Sequence, residues 1–304
     1  MRQLTECNLC KGNSLFTLYS QTISYNNPWS EFIEERNFPL LIEGKICLSC
    51  GWIFKNLVYD SEELARLYNF KEEGLSAEAE LMGDKNAKYR GLRIFQTVEP
   101  WLSSAGNVLD VGGRNGELME TFLEKGFKVS VLDMDAGRPI SPQMLKIRSP
   151  FLAWDADMYD LITMSHVLEH TESPGAFLDH ARKLLKEDGI IFIEVPSELF
   201  TCLIKRHVGD HRHLSYFTRE TLRAYLKSSG FDCLSCELLI DVVGSKIPLL
   251  RAVARKVEDV GIMEPLTPGK SAFFRSIADV LHPLPWFSRI FRNASFGRSG
   301  KSNK

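Results

Sequence analysis

The residues from Asn107 to Asp135 have the types and spacing of a site for a nucleoside-sized ligand. The run NVLDVGGRNGELMETFLEKGFKVSVLDMD reads as strand, glycine turn, helix, strand and terminal acid. Asn107–Val111 is a short apolar run carrying Asp110, and Val129–Leu132 is a second one, closed by Asp133. Gly112, Gly113 and Gly116 let the backbone turn sharply and approach a ligand that a Cβ would push away. Leu118, Met119, Phe122 and Leu123 recur at helical spacing, and Gly126 ends the helix. In a βαβ unit this layout puts a ligand on the helix N-terminus and an acid beside its ribose hydroxyls. The spacing Asp-x-Gly-x-x-x-Gly departs from the dinucleotide fingerprint, and Arg114 and Asn115 in mid-loop suit a smaller, non-phosphorylated ligand. The alternative is an ordinary strand-to-helix turn with three glycines.

A second constellation lies near the N-terminus. Cys7-x-x-Cys10 and Cys47-x-x-Cys50 form two knuckles, and Gly51 permits the turn after the last cysteine. Four converging thiolates suit a closed structural zinc site with no open position for catalysis, the alternative being four buried free cysteines. Thr17–Leu41 between them reads as loop-rich and dependent on the metal for folding. Chelation is expected to unfold residues 1–60 and leave the remaining core folded. Glu31, Glu34, Glu35 and Glu43 outnumber bases here, favouring a structural or acceptor-covering role over nucleic-acid binding. Cys233-x-x-Cys236 falls within a strand, where the two thiols are expected on opposite faces as core residues.

The elements that must position these residues follow in order. Ser61 caps a short helix, 71–83 reads as linker or lid, and a helix over Asp84–Leu102 leads into the first strand. Met144–Ile147 is the candidate third strand, and Tyr159–Ser165 is a buried fourth strand with His166, Glu169 and His170 at its end. A helix begins at Ser173-Pro174 and stops at Gly189, and Ile190–Val195 is the fifth strand. Gly209–Thr218, GDHRHLSYFT, precedes a helix capped by Thr218; strands over Phe231–Ile240 and Leu249–Val257 end the pattern.

Together, the glycine loop, YDLITMSHVLEH and SPGAFLDHARKLLKEDGIIFIEVP resemble the class I S-adenosylmethionine-dependent methyltransferases, over about residues 85–257. That family usually has glycine where this chain has Arg114. The resemblance implies an α/β, Rossmann-like three-layer methyltransferase domain, with a seven-stranded sheet whose last strand is antiparallel. It implies that Asp133 holds the cofactor ribose, and that Gly112, Gly113, Asn115 and Gly116 hold the methionine portion. Asp110 would orient the loop or the cofactor ammonium, with Met134, Ser165 and His166 completing the contacts. Tyr89 or Arg93 reaching the carboxylate, and Asp155 or Asp157 the adenine amino group, are weighed against plain surface roles.

GDHRHLSYFT is similar to a segment of sugar-modifying methyltransferases that also carry an N-terminal zinc module, where a histidine is the general base. Carried over, that base is His213, with His211 and Tyr216 nearby; Arg212 stands where those enzymes have glutamate. His166-x-x-Glu169-His170 is similar to a divalent-metal segment of some ubiquinone-pathway and small-RNA methyltransferases, the alternative being that Glu169 and His170 brace the sheet edge.

A chain of 304 residues, 44% hydrophobic, can bury a full core and carry appendages. A net charge of −2 gives no basic field for nucleic acid, and no run reaches a membrane span. The expected protein is cytoplasmic: residues 1–60 a zinc-binding module, 61–100 a helical linker or lid, 101–257 the methyltransferase domain, and 258–304 a helical, basic tail able to touch an anionic membrane. Its cofactors are S-adenosylmethionine and structural zinc. The expected reaction is O-methylation of a sugar, polysaccharide precursor or small metabolite. Sugar C-methylation, RNA methylation and a silent scaffold with its pocket blocked by Arg114 are the alternatives.

Overall fold

The computed structural model describes residues 2–23, 39–58, 77–134, 141–155, 158–197, 213–239 and 248–258. In chain order the N-terminal strands are β1 (Arg2–Gln3), β2 (Leu15–Ile23), β3 (Leu40–Cys47), β4 (Ile53–Lys55) and β5 (Leu57–Val58). Helix α1 (Ala77–Val98) leads to β6 (Asn107–Val111), α2 (Glu120–Glu124), β7 (Lys128–Asp133), β8 (Leu145–Arg148) and β9 (Tyr159–Ser165). Then come α3 (Pro174–Leu184), β10 (Leu185–Pro196), β11 (Ser215–Tyr216), α4 (Arg219–Ser228), β12 (Phe231–Leu239) and β13 (Leu249–Lys256).

The large sheet has seven strands in the order β12-β13-β10-β9-β6-β7-β8. Strands β10, β9, β6, β7 and β8 run parallel, and β13 is antiparallel to both its neighbours. Alternation along the central strands builds two separate cores, as a sheet covered on both faces requires. Leu109, Val111, Ile162, Met164, Ile191 and Ile193 face α3 and α4, while Val108, Leu161, Ile190 and Phe192 face α1 and the residues around Phe122. That is the expected three-layer α/β architecture.

Helix α1 begins at Ala77 rather than Asp84, so residues 77–83 are helical instead of linker or lid, and other features also differ from the sequence-based expectation. Helix α3 stops at Leu184, before Gly189, because Leu185 is already extended (φ −79°, ψ 139°) and buried, and pairs with Tyr159. The register then shifts before Ile190, so the turn occurs inside β10 rather than ahead of it. At the two ends of the Thr17–Leu41 stretch, the described residues belong to β2 and β3, which pair antiparallel from Leu15↔Cys47 to Ile23↔Leu40, and 24–38 lie outside the described residues. The register also shifts between Cys233 and Ser235. This extra residue interrupts the strand alternation between the two cysteines; the Cys233 thiol donates to the Ser235 carbonyl at 3.4 Å, and Cys236 is buried. The helix expected from Ser61 and the tail from 259 onward lie outside the described residues.

The cysteine module is built around a four-stranded sheet, β11-β4-β3-β2. Its buried residues Cys7, Cys47, Cys50, Trp52 and Phe54 belong to the same apolar core as Phe217 and Tyr225, beside the large sheet. Trp52 meets Phe217 and Tyr225 edge-on, at ring distances of 4.9 and 4.8 Å. Such pairs add about 0.5–1.5 kcal/mol beyond their burial.

Candidate active site

The glycine loop leaves β6 at the C-terminal edge of the parallel strands, where open α/β sheets take ligands. Gly112 (φ 70°) and Gly116 (φ 81°) are left-handed, and the Gly116 N–H closes the turn on the Gly113 carbonyl at 2.7 Å. A Cβ added at Gly113 would lie 2.1 Å from Asp110 Oδ2, so the loop is glycine there for lack of room. Arg114 takes φ 48°, the left-handed region that explains the family's usual glycine. Two contacts hold it: the Arg114 N–H donates to Asp133 Oδ2 at 2.8 Å, and the Lys146 ammonium donates to the Arg114 carbonyl. Arg114 is exposed to solvent. Asn115 donates to Glu117 Oε1 at 2.5 Å, and Met134, beside Asp133, leaves 63% of its surface in water.

Asp110 is buried beneath this loop. Its Oδ1 accepts from the Thr163 hydroxyl at 2.6 Å, while Oδ2 has no hydrogen-bond partner. Burial pushes the carboxyl up to about 7, against the Thr163 hydrogen bond and with help from Asp133. A buried carboxyl oxygen without a donor, under a loop that admits no Cβ, fits a ligand that brings a cationic donor. The unfolded chain releases this proton near the ordinary carboxylate value and the folded chain holds it to about 7. Between those limits the folded state binds more protons, so stability falls as pH rises, by up to about 1.4 kcal/mol per pH unit. Asp110→Asn should flatten that slope between pH 5.5 and 7 in denaturant titrations of the ligand-free protein; equal slopes would contradict the assignment.

Ser165 and His166, the expected contacts at the end of β9, are gathered by groups outside the sequence-based set. The Arg90 guanidinium donates to Ser165 Oγ at 3.1 Å and to Glu194 Oε1 at 2.8 Å. Arg251 Nε donates to Glu194 Oε2 at 2.5 Å, and His166 Nε2 lies 3.7 Å from Glu194 Oε1. Burial works to raise the Glu194 carboxyl, but the Arg251 and Arg90 charges outweigh it and hold it below the usual range. The available signal was a charge inside each buried strand: glutamate in IIFIEV and arginine in LLRAVA. Tyr89 and Arg93, in the same helix as Arg90, are exposed.

The turn after β9 carries the acid-imidazole cluster. His166 has φ 57°, a left-handed conformation stored at a site rather than in a regular turn. Its Nδ1 lies 3.1 Å from Glu169 Oε1, and His170 Nε2 lies 3.9 Å from the same oxygen. His213 arrives from far along the chain, and its ring meets His170 edge-on at 4.8 Å. Glu169 is buried; burial works to raise it, but the His166 hydrogen bond and the charges of His170, His166 and His213 leave it below the ordinary carboxylate range. One ligand atom each from Glu169, His170 and His213 lies within 4.8 Å of the others, a set that can share protons or hold a divalent cation. Gly112 adjoins this turn, since a Cβ there would lie 2.9 Å from Val167 Cγ2. Tyr216 is buried in β11 against the cysteine module, its hydroxyl 3.2 Å from that of Tyr19. His211 and Asp157 lie outside the described residues, and Asp155 is exposed.

The four cysteines converge as their spacing predicts. The Cys7 and Cys50 sulfurs are 3.5 Å apart, as are those of Cys10 and Cys47, and all four fall within 4.8 Å. Thiolates sharing a tetrahedral zinc at about 2.3 Å lie about 3.8 Å apart, so the group fits that ion.

A family model described as a methyltransferase domain matches residues 84–236. The chain belongs to this family. The methyltransferase chain is 28% identical to the ubiquinone biosynthesis O-methyltransferase of Caulobacter vibrioides over 148 residues, 39% of this chain and 56% of that one. It is 24% identical to the protein of that name from Coxiella burnetii, over 61% of this chain and 85% of the relative. The methyltransferase thus spans little more than half the length of the first of these relatives. Among solved structures it is similar to the Burkholderia thailandensis 1,6-didemethyltoxoflavin-N1-methyltransferase with bound S-adenosylhomocysteine. The TM-score is 0.51 and the identity 17%, covering 72% of this chain and 96% of that one, a likeness of fold. Among the described residues no helix is long and apolar enough to cross a membrane.

Proposed function

We propose that this methyltransferase moves a methyl group from S-adenosylmethionine to a hydroxyl oxygen of a small metabolite, sugar or polysaccharide precursor. One observation carries the reading: Gly112 of the glycine loop abuts Val167, and the same turn presents His170 to His213. The loop that would hold the donor and the imidazole that would take the acceptor's proton therefore meet at one sheet edge. When bound, S-adenosylmethionine supplies an electrophilic methyl on a positive sulfonium.

The protein's own work is then alignment and proton management. Asp133 holds the ribose hydroxyls, and the Gly112–Gly116 backbone faces the methionine portion. Asp110 Oδ2, without a donor in the free protein, accepts from the cofactor ammonium. Glu194 fixes Arg90 of α1 and Ser165 at the end of β9, keeping that wall of the site in one arrangement. His213 would take the hydroxyl proton as the oxygen–carbon bond forms and the methyl carbon–sulfur bond breaks, its electron pair leaving on a neutral thioether, and the buried Glu169 carboxylate would stabilise the resulting imidazolium. The names of the curated relatives favour oxygen as the acceptor atom.

His213→Ala should lower turnover by about 10²- to 10⁴-fold and leave cofactor affinity unchanged. The assay uses methyl-labelled cofactor with a panel of nucleotide sugars and hydroxylated aromatics. Unchanged turnover in the variant would remove His213 as the base.

A further inference from the structure

Strand β11 is two residues long, and its hydrogen-bonded neighbour is β4 of the cysteine module, not the large sheet. The backbone next to His213 is therefore held from two sides. The Lys55 N–H donates to the Leu214 carbonyl at 2.8 Å, and the Leu214 N–H donates to the Glu169 carbonyl at 2.7 Å. Side chains repeat the arrangement. The Tyr19 and Tyr216 hydroxyls are 3.2 Å apart, and the buried Lys55 ammonium lies 5.8 Å from the centre of the Tyr216 ring. From the first knuckle, the Asn8 side-chain amide donates to the Glu172 carbonyl at 2.5 Å, just past the Glu169–His170 turn.

A strand this short has no stability of its own, and its pairing lasts only as long as β4 stays in place. Strand β4 follows the second knuckle directly, and a small sheet of this kind leans on its metal for stability. The ring of Trp52, two residues after the second knuckle, also packs edge-on against Phe217, just past β11, and against Tyr225.

We infer that the cysteine module is the positioning element for His213. Metal loading orders residues 213–217 and so completes the acceptor side of the site. The cofactor side, carried by β6, β7 and β9 of the large sheet, stays formed without it. Tyr19 and Lys55 are positioning residues that act through Tyr216. The inference rests on the proposed role of His213 for its catalytic meaning, but not for its structural content.

Hydrogen-exchange mass spectrometry on the full chain, zinc-loaded and after zinc removal with a chelator, tests it alongside calorimetric titration with S-adenosylhomocysteine. Zinc removal should speed exchange at least tenfold in 40–58 and also in 213–217. Exchange in 107–111 and 159–165 should be unchanged, and S-adenosylhomocysteine affinity should stay within threefold. Protection of 213–217 that survives the loss of 40–58 would overturn the inference, as would equal loss across all four segments. In the zinc-loaded protein, Tyr19→Phe should speed exchange at 213–217 about fivefold, the equivalent of one net hydrogen bond. It should also lower kcat with KM for S-adenosylmethionine unchanged; a change in that KM alone would count against a positioning role. His213→Ala turnover judges the base assignment separately, so the two readings fail on different measurements.

Discussion

Glu194→Leu should destabilise the protein by about 3–5 kcal/mol, a large part of the stability of a typical domain. Glu194 is fully buried and neutralises Arg251, itself only 5% exposed, through a 2.5 Å hydrogen bond, and Arg90 through one of 2.8 Å. Taking away the carboxylate strands the Arg251 charge in the sheet between β10 and β13. The loss is dominated by that uncompensated charge rather than by the bond itself. Replacing both partners, Glu194→Leu with Arg251→Met, should therefore recover much of the stability. Denaturant midpoints of the single and double variants check this. A double variant no better than the single would mean that packing, not charge, explains the loss. The pH dependence has a defined sign: Glu194 is held below its ordinary value, so its contribution is present at neutral pH and is lost as pH falls through the folded value.

Asp133→Ala is expected to weaken cofactor binding by at least about 100-fold, the worth of two hydrogen bonds from ribose hydroxyls to a carboxylate. In the free protein Asp133 Oδ2 already receives the Arg114 N–H, so the substitution also loosens a left-handed residue of the glycine loop. Both effects act on the cofactor half, and thermal stability should move much less than affinity. Calorimetry with S-adenosylhomocysteine, alongside a melting curve, separates them. A variant that binds like the parent would displace Asp133 from the ribose.

Much of the fold was legible because local and global signals agree. Strands β6, β7 and β9 are largely apolar runs ending in Asp110-Val111, Asp133 and Ser165, and each lies where the sequence puts it, to within a residue. The capping of α4 by Thr218 was equally visible, and its hydroxyl does accept from the Thr221 N–H at 3.1 Å. The four cysteines announce their own convergence. Less legible were features fixed by tertiary contact. Gly189 looks like a helix stop, yet Leu185 gains more by burying itself opposite Tyr159 than by extending α3. Cys233 and Cys236 follow strand alternation only if no residue is inserted, and a register shift is not written in side-chain pattern.

At the site, residues close in sequence were easy to group, and residues joined by the sheet were not. Glu169 and His170 advertise each other, but His213 joins them through tertiary contacts, the Leu214 N–H bond to the Glu169 carbonyl and the pairing of β11 with β4. Arg90 was passed over for its neighbours Tyr89 and Arg93 because its partners Ser165 and Glu194 lie on strands 75 and 104 residues away. A charged residue in an otherwise apolar strand was the clue, since such a group must be paired when buried.

The most direct test of the central claim is a calorimetric titration of the full chain with S-adenosylmethionine, with NAD as control. The account predicts micromolar binding of S-adenosylmethionine, about −8 kcal/mol, lost on Asp133→Ala, and no binding of NAD. Failure to bind S-adenosylmethionine in the zinc-loaded, folded protein would contradict the account and leave the fold without the activity assigned to it.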